Sequence, residues 1–442
     1  MMKKILRLAC CSALAACGFA ATCNVRESGA KGDGQTKDTA AIVRAIEACS
    51  KAGGGTVIVP PGKYLTGALR LRSNLTLEIE AGATLLGSPD PEDYPLYPSV
   101  WGETEELSSL IYADGAEHIT VRGAGTIDGQ GQFWWRRMGW PDRRKIAPEQ
   151  RTAVERAELA KLAHGRPHMI KLVRCKYVVI EGLHLINSAE WTVHPLLCEF
   201  VRVDGVTIEN PVPSPNTDGI NPESSSNVQI LNSRIDVGDD CVTLKSGKDA
   251  AGRRVGKPDE NITITNCVML RGHGGVTIGS EMSGGVRNVL VSNCVFQGTD
   301  VGIRVKSQRG RGGVVEGFNV ANVVMQDVAS AFTITTFYNG TDTPLDLVPV
   351  TEATPRFRDF HFSNITARGS KTAGQITGLK EMPVENITFS GVQIRAQTGM
   401  KITNAKDVVF QDVAIETERG EGVTVTGSTG IDLARLRQWK AK

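Results

Sequence analysis

Ile262-Thr263-Ile264-Thr265-Asn266-Cys267 and Val289-Leu290-Val291-Ser292-Asn293-Cys294 are one phrase written twice, 27 residues apart. Each is a β-branched run closed by Asn and Cys. Similar runs recur along the chain at Val178-Val179-Ile180, Val206-Thr207-Ile208, Val228-Gln229-Ile230, Phe360-His361-Phe362, Ile387-Thr388-Phe389 and Val408-Val409-Phe410. The closing residue is read at Asn187, Asn210, Asn232, Asn266, Asn293, Asn322 and Asn364, at gaps of 23, 22, 34, 27, 29 and 42. A base period of 22–27 with insertions is the signature of stacked coils, none of which can bury its apolar face alone. The sequence therefore predicts an all-β, right-handed parallel β-helix, each strand pairing with its equivalent one coil away at ~4.8 Å. Asn suits the bend because it tolerates left-handed backbone and its amide can bond along a stack. Cys267 and Cys294 follow the Asn by one residue, and Cys175 and Cys198 precede it by twelve, so these thiols read as small core residues.

The open end of such a solenoid needs a cover. Asp38 to Lys51 is expected to supply a capping helix with Ala41, Ile42, Ala45, Ile46 and Cys49 on one face, stopped by Gly53-Gly54-Gly55. A second helical stretch, about Pro148 to Ala163, lies outside the repeat. With Trp134, Trp135 and Trp140 nearby, the segment 129–166 reads as an insert that could wall one end of a groove. No low-complexity linker divides the chain, and 24–442 is expected to be one domain.

Residues 1–22 read as an export signal, with Lys3, Lys4 and Arg7 ahead of a short apolar stretch. Leu14-Ala15-Ala16-Cys17 also resembles a bacterial lipoprotein signal, which would attach lipid at Cys17. The expected location is periplasmic, outer-membrane-anchored or extracellular in a bacterium, with any membrane contact made through that lipid alone. Net charge is +2, and loss of those three cations leaves 47 basic against 48 acidic residues, or −1. Such a balance argues against nucleic acid as a partner. Seven cysteines remain after the signal, without zinc spacing, and their odd number leaves at least one thiol unpaired within the chain.

Counting from the Asn positions locates the chemistry. Asp218 is Asn210 plus eight and Asp240 is Asn232 plus eight, so the two are expected to stack on adjacent coils. Asp239 precedes Asp240, and His273, at Asn266 plus seven, falls in its column. Arg304 and Lys306 follow on the next coil and share a face by parity. The residues in register with them are Thr277 and Gly279, so both cations are expected to lack a built-in partner and to be available to an acidic ligand. Stacked carboxylates repel, and one should hold its proton. Acid/base chemistry, with one carboxyl protonated and another ionised, gives that cost a purpose. Inverting glycosidases work this way, with room between the carboxyls for a water. His194, at Asn187 plus seven, is assigned by the same count to the column of Thr217 and Asp239, beside Trp191.

The segments Asn216-Thr217-Asp218, Gly238-Asp239-Asp240, Gly272-His273-Gly274 and Arg304-Val305-Lys306, in this order, resemble the four signature motifs of glycoside hydrolase family 28, the polygalacturonases. Ser214 to Pro222 and Gly279 to Gly285 are similar to its bacterial, often exo-acting, branch. The resemblance implies hydrolysis of α-1,4-galacturonosidic linkages in pectin, without cofactor or metal, by a monomer. It implies that Asp239 protonates the leaving oxygen, that Asp218 and Asp240 activate water, and that His273 holds or tunes Asp239. Arg304 and Lys306 would bind the substrate carboxylate, with Asn216, Tyr338 and His194 as further substrate contacts. Arg166 and His168 are weaker candidates. The alternatives are another pectic hydrolase, a polysaccharide lyase on the same fold, and a glycan-binding β-helix without catalysis.

Overall fold

The structure, a computed structural model, describes residues 21–102, 104–141, 150–338 and 346–441. Most of the expected export signal, including Cys17, lies outside those residues. Its last two positions already belong to the first strand, Ala21–Asn24, which pairs in parallel with Gly55–Val59. The chain then winds as a right-handed parallel β-helix. Among the described strands, only Leu96–Pro98 and Glu105–Leu107 pair antiparallel.

The alternating runs put one side chain in two into the core. Val178, Val201, Val228, Ile262, Val289, Phe318, Phe360, Ile387 and Val408 occupy one register position on nine successive coils, and all are buried. Burying each is worth roughly 1.5–3 kcal/mol, and a one-residue slip would turn a whole strand inside out. The cap matches expectation. A helix over Thr39–Lys51 buries Ala41, Ile42, Ala45, Ile46 and Cys49. Its Asp38 is spent on the backbone N–H groups of Lys31 and Gly32, at 2.7 and 2.9 Å. Cys49 forms a disulfide with Cys23 on the first strand. Cys175, Cys198, Cys241, Cys267 and Cys294 are buried free thiols, with Cys175 in register with Cys198 and Cys267 with Cys294.

The Asn ladder is shorter than the sequence reading. Asn232, Asn266, Asn293, Asn322 and Asn364 share one column, each with φ between 50° and 57°. Side-chain amides link Asn266 to Asn232, Asn322 to Asn293 and Asn364 to Asn322, at 3.1–3.2 Å. On the two preceding coils the column is held by Gly182 and Gly205. Asn187 and Asn210 lie five residues further on, at the end of a different strand. Asn210 serves a separate purpose there. Its side chain bonds the Ser188 N–H, Thr192 Oγ1 and the Thr217 carbonyl, bracing the turn ahead of Asp218.

One sheet carries the site. Its strands are Leu69–Arg70, Ile111–Asp114, Ile170–Val173 and Val193–Leu196. Bridges through Ile220 continue it to Val242–Leu244, Val276–Gly279, Val301–Lys306 and Ser330–Thr335. Its outward face is the floor of a trough. Over the early coils the floor is covered: Tyr97, Val100 and Trp101 pack on Tyr112, Val173 and Leu196, and Lys171 pairs with Glu106 at 2.8 Å.

The insert carries two helices. Ala153–Ala160 is shorter than expected and starts at a Thr152/Glu155 capping box. The start of the expected range lies outside the described residues. Gly131–Arg137 was not expected and buries Trp134 and Trp135 against the coils, with Trp135 Nε1 donating to the Ala189 carbonyl at 3.2 Å.

Candidate active site

Backbone register assembles three carboxylates. The Gly219 N–H donates to the Asp240 carbonyl at 3.0 Å and that of His273 to the Asp239 carbonyl at 2.9 Å. Asp218 therefore stacks with Asp240, and His273 with Asp239, as the count required. The count succeeded for Asp218 by compensation. Asn210 lies five residues past the true column, and the excursion Pro211–Pro215 adds the same five back. Asn187 has no such compensation. His194 consequently aligns with Asn221, and Trp191 aligns with Asp218. His194 is buried, bonded to Glu223 at 2.9 Å and to His168 at 3.0 Å. Buried under these contacts, it braces the floor. Arg166 is likewise a brace: its guanidinium bonds the Pro215 carbonyl at 2.9 Å and Asn216 Oδ1 at 3.0 Å.

One oxygen from each of Asp218, Asp239 and Asp240 lies within 4.8 Å of the others. Asp218 and Asp240 are buried, and Asp239 is the member that faces the cleft. Burial, then the neighbouring charge of Asp239, pushes the Asp218 carboxyl up to about 8; Lys245 opposes that rise. Burial would raise Asp240 too, but Lys306 and Arg304 outweigh it and hold Asp240 well below the usual carboxylate range. Two oxygens meet two cations: Arg304 Nη1 sits 3.1 Å from Oδ1 and Lys306 Nζ 2.9 Å from Oδ2. The expectation that these cations lack a protein partner is therefore wrong. The register neighbours Thr277 and Gly279 offer no charge, but both long side chains reach back past that coil to Asp240. A divalent ion could bridge oxygens at this spacing, yet both oxygens of Asp240 are already engaged.

His273 Nδ1 lies 3.2 Å from Asp239 Oδ1, and that bond raises the imidazole above its ordinary value. The Asp240 N–H also donates to Asp239 Oδ1, at 2.9 Å. Tyr338 covers both cations, its ring centre 5.7 Å from the Arg304 guanidinium carbon and 5.3 Å from Lys306 Nζ. Lys245 was missed by the sequence reading. It sits two residues from Thr243, which donates to Asp218 Oδ2 at 3.3 Å. Its Nζ lies 3.0 Å from Glu281 and 4.6 Å from the centre of the Trp191 ring. Its strand parity with Lys306 was the available signal.

Paired acid and base carboxyls on a solenoid trough are glycosidase equipment. Residues 49–412 match the model of glycosyl hydrolases family 28. The chain belongs to that family. It is 34% identical over 379 residues to a probable polygalacturonase of Vitis vinifera, covering 83% of this chain and 72% of that one. It is 29% identical to an exo-poly-alpha-D-galacturonosidase of Dickeya chrysanthemi, covering 92% and 74%. The crystal structure of a hyperthermoactive exopolygalacturonase from Thermotoga maritima superposes with a TM-score of 0.73 at 32% identity, covering 88% and 92%. Membership makes the chain a glycoside hydrolase, which removes the lyase and the non-catalytic binder as readings.

Proposed function

We propose that this family 28 enzyme hydrolyses α-1,4-galacturonosidic bonds of polygalacturonate from a chain end, with inversion. The observation that carries the chemistry is a carboxyl trio in which Asp240 is paired with both Arg304 and Lys306, Asp218 is buried and Asp239 faces the cleft. Asp239 is placed to protonate the leaving oxygen. Asp218, pushed up to about 8, is in its ionised form basic enough to take a proton from water, and Asp240 orients that water. Water adds to the anomeric carbon, the glycosidic C–O bond breaks towards oxygen, and Asp239 supplies the proton that oxygen needs.

The carboxyl spacing bears on the stereochemistry. Inverting enzymes commonly hold their carboxyls about 6.5–9.5 Å apart, and here oxygens approach within 4.8 Å. Against a covalent nucleophile stand the burial of Asp218 and the double ion pairing of Asp240. Proton NMR of the first product decides: β-configured product from the α-linked substrate is expected, and α-configured product overturns inversion. Asp239→Asn should lose about 10²–10⁴ in turnover.

Chain-end attack is supported by the covered floor beneath Tyr97 and Trp101. Its measure is the earliest product mixture, expected to hold one small size class; a spread of oligomers would mean internal cutting. The relatives named above support galacturonate as the substrate. The Cys23–Cys49 disulfide supports export to an oxidising compartment.

A further inference from the structure

Four of the buried free thiols stand in two stacks. Cys175 lies one coil from Cys198 and Cys267 one coil from Cys294, 23 and 27 residues apart in the chain. Ladder bonds lock each stack in register. The Glu199 N–H donates to the Cys175 carbonyl at 2.9 Å, and the Val295 N–H to the Cys267 carbonyl at 3.0 Å. The side chains are translated copies: each of the four Sγ atoms lies 3.2–3.5 Å from the carbonyl two residues before it. The later thiol of each stack also leans back onto the earlier coil. Cys198 Sγ is 3.1 Å from the Leu172 carbonyl, and Cys294 Sγ is 4.0 Å from that of Ile264. Equivalent residues on adjacent strands sit about 4.8 Å apart, inside the Cα range that a disulfide spans.

Packing alone does not require sulfur at these places. Ala116 and Ser225 hold the same position on the coils flanking the first stack, and Ser233 and Val323 on those flanking the second. Cys241 is the contrast. Its register neighbours are Gly219 and Gly275, so no thiol stands above or below it.

We propose that Cys175–Cys198 and Cys267–Cys294 are disulfide-forming sites, closed as the chain folds, that staple the coils on either side of the catalytic carboxylates. The first staple joins the ends of floor strands Ile170–Val173 and Val193–Leu196, just ahead of the Asp218 coil. The second joins the segments that lead into His273 and into Arg304 and Lys306. The inference rests on the export reading above, since disulfides persist in oxidising compartments. The oxidant is a disulfide carrier, either an oxidoreductase or glutathione disulfide. One thiolate attacks the carrier's S–S bond and releases a carrier thiol. The stacked thiol then gives up its proton, attacks the mixed disulfide and releases the second carrier thiol. Cys198 lowers the proton affinity of Cys175, and Cys267 that of Cys294, so Cys175 and Cys294 are the attacking members. All four side chains are buried in the folded chain, so exchange precedes closure of the coils over them.

The test is a disulfide map. The full chain, with its own residues 1–22, is expressed in a bacterium, alkylated in urea without reductant and digested with trypsin. Lys176 separates Cys175 from Cys198, and Arg271 and Arg287 separate Cys267 from Cys294. Mass spectrometry should find both stacked pairs as linked peptides and Cys241 alkylated. Stacked cysteines that are alkylated while Cys23 and Cys49 are linked overturn the inference. The same map after refolding from urea in a glutathione redox buffer decides the pairs whatever the compartment. Linked stacks there, with Cys23 and Cys49 alkylated in the cell-made chain, remove the export reading and leave the staples standing. Cys198→Ala, which keeps a small apolar side chain in the core, should melt below wild type, and reductant should close that gap. A gap that reductant leaves unchanged marks Cys198 as packing only and overturns its staple.

Discussion

Asp218 and Asp240 occupy equivalent places on adjacent coils and should respond to pH in opposite senses. The folded-state pKa of Asp218 is raised from 3.8 to about 8. Between those values the folded chain holds a proton that the unfolded chain has released, so stability falls as pH rises through the window. Asp218→Asn should therefore melt higher than wild type at pH 7, with the advantage gone near pH 4. Asp240 is depressed, so its contribution is present above the ordinary carboxylate value and is lost as pH falls. Asp240→Asn also strands Arg304 and Lys306, a cost on the order of 3–5 kcal/mol. Thermal melts at the two pH values separate the cases; a common sign would refute the assignment. A uniform gain of stability for all three aspartates, which like-charge repulsion alone would give, is not expected. By the same ion pair, Lys306→Met should lose activity alike on acidic and carboxyl-reduced oligomers, because it releases Asp240 before it touches substrate. The trio and His273 were legible by counting along the repeat. The pairing was not, because counting compares adjacent coils while Arg304 and Lys306 span two.

At the scale of single elements, the ladder and the cap carry the tests. Asn293 sits at φ 55° with its amide oxygen accepting from Asn322. Asn293→Ala forces a Cβ-bearing residue without that amide into left-handed backbone, costing about 1–3 kcal/mol, and urea midpoints would show it. Asn293→Gly, which keeps the backbone at ease, should cost less than Ala if the conformation matters most. The disulfide ties the capping helix to the first strand across a separation of 26 residues. Cys49→Ala should lower stability by about 3 kcal/mol on the loop-entropy scale; an unchanged melt would mean the cap is held by its apolar face alone. That face was readable from helical spacing. The pairing of Cys23 with Cys49 was not, since connectivity follows from proximity in space. The ladder was over-read for a related reason: Asn also serves at other bends, and only backbone register separates Asn210 from Asn232.

Over the whole molecule, the repeat fixes a straight trough and the irregular segments decide how it is used. The repeat was legible because its period survives insertions. The wall of Tyr97, Val100 and Trp101 was not, because an isolated aromatic in an irregular segment carries no period to reveal what it covers. That wall has a kinetic corollary. On the proposed chain-end attack, a fragment cut on the covered side would meet Tyr97 and Trp101 and would leave through the mouth by which the polymer came in. Each turnover would then begin with a new docking of a terminus. At equal mass of polymer, the rate should rise in proportion to the number of termini, so that sonicated substrate is consumed faster than intact substrate. The enzyme would work as a distributive trimmer, and its appetite would be set by how many ends other activities expose.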